Sequence, residues 1–183
     1  MIKKLLVIIF VLILAGTAYA RDIKSPQYLM EEETKLQSIA KEIGPSNFQG
    51  LHRWLETNLR YKEDRDWKEP LEIIQCGKGD CKNYGTLTLA ILKHMGVKDA
   101  FLLGVCAKNR NLGHVVCFFR ENKDQAWRYY SFEKLENGPK SFKDLPYVVA
   151  RECRYGSRIM YQLANEDMKN IPPEEEKNYG LTD

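Results

Sequence analysis

The stretch Gln75-Cys76-Gly77-Lys78-Gly79-Asp80-Cys81-Lys82-Asn83-Tyr84 confines this chain more than any other, because it sets a cysteine where a glycine-rich loop turns into a long apolar helix. From Tyr84 through Leu87, Ile91 and Met95 the apolar residues recur at helical spacing. Leu89, Ala90 and Leu92 carry the apolar surface so far round that the helix is expected at the centre of the fold. Gly96 ends it. Asp80 is a ready N-cap, and Cys81 falls in the first turn, where unpaired N–H groups and the positive end of the helix dipole favour a thiolate. A thiolate is a nucleophile.

The flanking elements read as an α+β arrangement. Tyr28 to Ile43 is a helix ended by Gly44-Pro45, and Ser46 or Asn47 caps a second in which Phe48, Leu51, Leu55 and Leu59 keep the period to about Tyr61. Lys62 to Glu69 is a polar loop, and Pro70 to Ile74 a short turn or helix leading into the cysteine segment. After the central helix come three strand-like runs, Ala100 to Ala107, His114 to Arg120 and Ala126 to Phe132, which form an antiparallel meander. Leu145 to Cys153 and Ser157 to Leu163 suit further strands, the latter equally a helix.

At the start, Lys3 and Lys4, the apolar run from Leu5 to Leu14 and the small-x-small site Ala18-Tyr19-Ala20 have the form of an export signal, with the mature chain beginning at Arg21. The run is shorter than the roughly 20 residues a spanning helix needs. One domain is expected over 21–171, followed by a solvated, disordered tail over 172–183 that opens with Pro172-Pro173 and three glutamates. Setting Lys3 and Lys4 aside lowers the net charge from +3 to +1, and with no basic run nucleic acid binding gets no support.

Export permits disulfides, and five cysteines leave at least one unpaired in a monomer, for which Cys81 is the choice. If the first two strands form a hairpin with Asn109 opposite His114, Cys106 faces Cys117, leaving Cys76 and Cys153 as a second pair. Buried free thiols are the equal alternative.

Cysteine catalysis needs a base, a group that holds the base, and donors for the oxyanion. His114 opens a strand directly after Gly113 and is the candidate base. Gln75, six positions ahead of Cys81, is a candidate oxyanion donor beside the Cys81 backbone N–H. His52 reads as a surface or rim residue, and His94 as a dipole partner near the end of the central helix. No metal-ligand spacing appears, so neither a metal nor another cofactor is expected.

The run Phe48 to Tyr61, then Asp66-Trp67-Lys68-Glu69-Pro70-Leu71-Glu72, then Gly79-Asp80-Cys81-Lys82-Asn83-Tyr84, then Gly113-His114-Val115-Val116, resembles the transglutaminase-like superfamily. More narrowly it is similar to bacterial transglutaminase-like cysteine proteinases, in which a Trp-x-x-Pro segment precedes Gly-Asp-Cys. The resemblance covers roughly Phe48 to Leu135 and implies a papain-like core, a Cys-His-Asp triad and acyl transfer, usually hydrolysis of a peptide or amide bond.

Two departures stand out. The family's aspartate follows a tryptophan by four positions, and counting from Trp127 gives Ser131. A hydroxyl accepts the imidazole N–H but brings no charge, and Glu133, on the same strand face, is the alternative. A two-residue turn at Asn122-Lys123 sets His114 opposite Ser131, whereas a loop over Glu121 to Gln125 sets it opposite Phe132. The first register is favoured. Beside the cysteine, where the narrower group holds calcium on acidic residues, this chain has Lys82 and Asn83. A lysine cannot ligate a hard cation through oxygen, so no calcium dependence is expected there; Lys82 reads first as a solvated side chain of the first turn, with steadying of the thiolate as the alternative.

The resulting expectation is an exported peptidase or amidase with Cys81 as nucleophile, His114 as proton carrier, Ser131 or Glu133 as its holder and Gln75 at the oxyanion. Trp67 and Asn83 are placed in the substrate groove, and the partner is a peptide or protein of the cell envelope. Transglutamination or deamidation is the enzymatic alternative. A non-catalytic binding module that kept the fold and lost the strong acid is the rival from another class.

Overall fold

The computed structural model describes residues 24–108, 113–156, 158–165 and 170–171, the last two through their backbone alone. The leader expected over 1–20, the tail over 172–183 and the turn at 109–112 lie outside the described residues.

Three helices lead to the central one. Helix α1 (Pro26–Ile43) starts where Ser25 Oγ accepts the Tyr28 N–H at 3.2 Å and ends at Gly44. Helix α2 (Phe48–Asn58) is capped by Asn47, whose Oδ1 accepts the Gly50 N–H at 2.9 Å. It stops short of Tyr61 because Arg60–Tyr61 leave as strand β1, which pairs in parallel with β2 (Lys78–Gly79). Helix α3 (Pro70–Cys76) opens with a reciprocal Glu69–Glu72 capping box and closes at Gly77, whose φ of 62° is a left-handed stop. Helix α4 (Cys81–His94) follows, with Asp80 as its N-cap.

Strands β3 (Asp99–Ala107), β4 (Gly113–Arg120), β5 (Arg128–Ser131) and β6 (Lys134–Asn137) form the meander. β7 (Ile159–Ala164) joins the far side of β3, with β8 (Asn170–Ile171) beyond it, giving the antiparallel order β6-β5-β4-β3-β7-β8. Alternation along the strands sorts two cores. Leu102, Cys117, Phe119 and Tyr130 meet Leu87, Ile91 and Leu92 of α4, while Phe101, Leu103, Val116 and Phe118 meet helix α5 (Leu145–Glu152) on the opposite face. Leu87, Ile91 and Leu92 are fully buried, at about 1.5–3 kcal/mol each. The chain is therefore α+β, with its apolar helix laid on an antiparallel sheet.

Gly85 sets how closely that helix lies. A Cβ there would stand 3.1 Å from Leu102 Cδ2 and 3.2 Å from Val115 Cγ1, tighter than ordinary side-chain contact.

Two expectations need correction. Residues 145–152 are helical, not a strand: Pro146 suits a first helical turn, and Leu145 and Val149 recur one turn apart on the buried face. Residues 159–164, open between helix and strand, are β7. In the hairpin, His114 faces Val105, Cys117 faces Leu102 and Cys106 faces Gly113: the pairing is centred two residues earlier in the chain than one that sets Asn109 opposite His114. Cys106 and Cys117 are therefore four positions out of step, and Cys76 and Cys153 also stand as free thiols. Among the described residues no helix is long and apolar enough to cross a membrane.

Candidate active site

Cys81 is the first residue of α4 and is half-buried. The β4–β5 ladder runs over Cys117–Phe119, so the first half of β4 extends past its β5 partner. There the Val115 backbone N–H points at the Cys81 sulphur. Burial pushes the thiol above its ordinary value; the Val115 N–H, the Lys82 charge and the Lys82 N–H pull it down, and Asp80 pushes it up. Position at the helix terminus alone suggested a thiolate, but the cost of desolvating a sulphur anion beside the capping carboxylate outweighs it.

His114 is only 7% exposed, and its Nε2 lies 2.9 Å from Ser131 Oγ. Burial lowers its pKa to about 4. The favoured register is corrected: with Cys117 opposite Tyr130 and Phe119 opposite Arg128, the ladder is displaced by two residues. An even displacement preserves which side chains share a face, so Ser131 still reaches the imidazole diagonally. A slip of one residue would have set the two on opposite faces.

Glu133 does not take that place. Its backbone carbonyl accepts from His52 Nδ1 at 2.8 Å, and its carboxylate stands by Tyr84, whose hydroxyl is pushed up to about 12 by burial and then by that charge. His52, expected at the rim, thus pins the β5–β6 turn.

Gln75 is likewise displaced from its expected role. It is exposed on α3 and donates to Glu31 Oε1 of α1 at 3.3 Å, because α3 and the β2 segment turn this side chain outward, away from Cys81. Of the first-turn donors of α4, the Asn83 N–H goes to Asp80 Oδ1 at 3.3 Å and the Tyr84 N–H to the Asp80 carbonyl. The Lys82 N–H is directed at the Cys81 sulphur.

Asn83 is fully buried, not in a groove: its Oδ1 accepts the Lys68 N–H at 3.0 Å and its amide reaches the Asp66 carbonyl. Trp67 packs on the α4 core and donates Nε1–H to Thr86 Oγ1 at 2.8 Å. Trp67 and Gln75 do line a surface hollow of about 470 Å³ with Asp66, Lys68, Glu72 and Cys76, but neither Cys81 nor His114 lines it.

Lys82 bonds the Asp80 carboxylate and, at 2.6 Å, the Asp64 carbonyl. An ammonium held by those two oxygens takes the place in which a divalent cation would need them, so the residues do not fit calcium at this spot. Among the described residues no three His, Cys, Asp or Glu side chains gather as a metal cage.

The surroundings also include residues that the sequence reading did not assign to the site. Phe132 packs on His114 with ring centroids 4.9 Å apart, and Tyr61 meets Phe132 edge-on at 5.2 Å. Cys153 and Tyr155, just past α5, lie within electrostatic reach of Cys81. No local motif marks these positions; only the fold gathers them.

Residues 34–124 match the profile of a transglutaminase-like domain. The chain belongs to the transglutaminase-like superfamily. A UPF0252 protein of Archaeoglobus fulgidus is 39% identical over 62 residues, covering 34% of this chain and 20% of the relative, so the chain spans about a fifth of that protein's length. Among solved structures, Legionella pneumophila LapG aligns with a TM-score of 0.52 at 16% identity, over 82% of this chain and 83% of LapG. A Cytophaga hutchinsonii protein provisionally titled a cysteine protease aligns with a TM-score of 0.43 at 14% identity, over 70% of this chain and 46% of the other. At that identity the LapG likeness speaks for the fold alone.

Proposed function

We propose that this transglutaminase-like chain is an exported cysteine peptidase or amidase acting on a peptide or protein of the cell envelope. The observation that carries the reading is the lodging of the Cys81 sulphur against the peptide that follows His114, while Ser131 holds the far nitrogen of that imidazole. With Nε2–H donated to Ser131, Nδ1 carries the lone pair that takes the thiol proton. Cys81 Sγ then attacks the carbonyl carbon, the Cys81 N–H meets the oxyanion, and His114 returns the proton to the leaving amine as the C–N bond breaks. Water, deprotonated by the same imidazole, cleaves the thioester and frees the acid. Since burial favours both neutral partners, the resting pair is thiol and imidazole, and the proton moves during attack.

The test is a peptide library incubated in heavy-oxygen water with the mature chain or its Cys81→Ala variant. Hydrolysis gives Cys81-dependent new termini that carry the heavy isotope, whereas joining of an added amine would shift the reading to transglutamination. A second reading, a binding module on this fold, is favoured by the raised thiol and the uncharged Ser131. Identical product lists from the two proteins would sustain it and end the peptidase proposal.

A further inference from the structure

The two-residue turn between β5 and β6 is built from Phe132 and Glu133, with Ser131 paired to Lys134 across it. Phe132 has a φ of 56°, a left-handed position that glycine fills freely and a bulky aromatic residue rarely adopts. Its side chain makes the conformation intelligible. The ring stands 4.9 Å from the His114 imidazole at 46°, 5.8 Å from Tyr84 at 84° and 5.2 Å from Tyr61 at 90°. Tyr61 is 58% exposed and His114 7%, so the aromatic stack runs from solvent inward, with Phe132 as its middle member. The turn is fixed from outside as well, by the bond from His52 Nδ1 to the Glu133 carbonyl. An over-determined backbone of this kind is how a strained residue is held at a site that uses it.

We propose that Phe132 is a positioning residue for His114: its ring, delivered by the left-handed turn, seals the imidazole from water and keeps it seated on Ser131. This rests on the cysteine–histidine reading for its purpose, though not for its test. The titratable and charged groups around the turn are the Tyr61 and Tyr84 hydroxyls, whose rings meet Phe132, with Glu133 and Arg60 acting on Tyr84, Glu63, Asp80 and Cys81 acting on Tyr61, and the Cys81 thiol lodged at the Val115 N–H. Glu133 is directed at Tyr84, and burial alone accounts for the lowering of His114. Opening the seal therefore acts through water rather than through a lost charge.

The imidazole nitrogens of His114 are followed by NMR across pH in the wild type, Phe132→Gly, Phe132→Leu and Tyr61→Ala, with urea unfolding recorded for each. Phe132→Gly relieves the turn and removes the ring, and is expected to raise the His114 pKa by a unit or more from about 4 towards 6.5. Phe132→Leu, which keeps an apolar cover, and Tyr61→Ala, which strips the outer ring only, are expected to shift it less. Should Phe132→Gly fail to fold, the other two variants carry the test. An unchanged His114 titration in every folded variant overturns the proposal. Because the titration needs no substrate, it is decided separately from whether the chain cleaves peptides.

Discussion

Replacing His114 by glutamine should flatten the acid side of the stability profile. The unfolded imidazole titrates near 6.5, whereas the folded one is held to about 4 by burial. Between those values the unfolded chain binds a proton that the folded chain refuses, so wild-type stability falls as pH drops from 6.5 through 4 and levels off below. The gap of about two and a half pH units, at about 1.4 kcal/mol per unit, amounts to roughly 3 kcal/mol. At 7% exposure there is little solvent to screen the effect. Urea unfolding at a series of pH values between about 7.5 and 3.5, in wild type and His114→Gln, isolates the contribution, since every other titrating group is common to both. The expected difference in stability shrinks by roughly 3 kcal/mol from the neutral to the acid end of the series. Parallel profiles would refute the argument. So would a wild type that holds its stability down to pH 4, the behaviour of an imidazolium already paired with a Cys81 thiolate.

Ser131→Asp should raise the His114 pKa by about 1–3 units through an adjacent opposite charge, read by NMR, and quicken iodoacetamide labelling of Cys81 near neutral pH. Gln75→Ala should leave Cys81-dependent peptide hydrolysis within about twofold of wild type, because Gln75 binds Glu31 instead; a tenfold loss would restore it to the site. Lys82→Met should cost about 1–3 kcal/mol by removing a charged tie between Asp80 and the Asp64 carbonyl, measured by urea unfolding, while chelator leaves wild-type stability unchanged. Unreduced, denatured protein blocked with iodoacetamide should take up five adducts by mass, and three would reveal a disulfide.

The parts legible in the sequence were those fixed by local physics. Asp80 before an apolar run, Gly96 after it and Leu87 and Ile91 within it specify α4 almost unaided, and the alternating runs specify β3 and β4. Ser131 was reachable because a face depends only on whether the register is odd or even, so a ladder wrong by two residues still brought it to His114. Distances along the chain misled where the path between the residues was unknown. Gln75 has the right spacing from Cys81, yet the left-handed Gly77 and the β2 segment turn its side chain to Glu31. The Cys106–Cys117 pairing failed similarly, because the hairpin is centred two residues earlier in the chain than the turn-like residues suggested. Phe132 entered only as the residue opposite His114 in the register not favoured; its place in the β5–β6 turn was not legible, since that turn lacks the glycine that would announce it.

Gly85 lies one helical turn beyond Cys81 on the face of α4 that touches Leu102 and Val115. The missing methyl acts as a spacer of zero thickness: it gauges how far the helix that begins at Cys81 stands from the strand that carries His114. Adding an alanine methyl there would lift the front of the helix by a few tenths of an ångström and stretch the link from Val115 to the sulphur. A residue with no functional group of its own thereby sets the clearance between the Cys81 sulphur and the Val115 peptide.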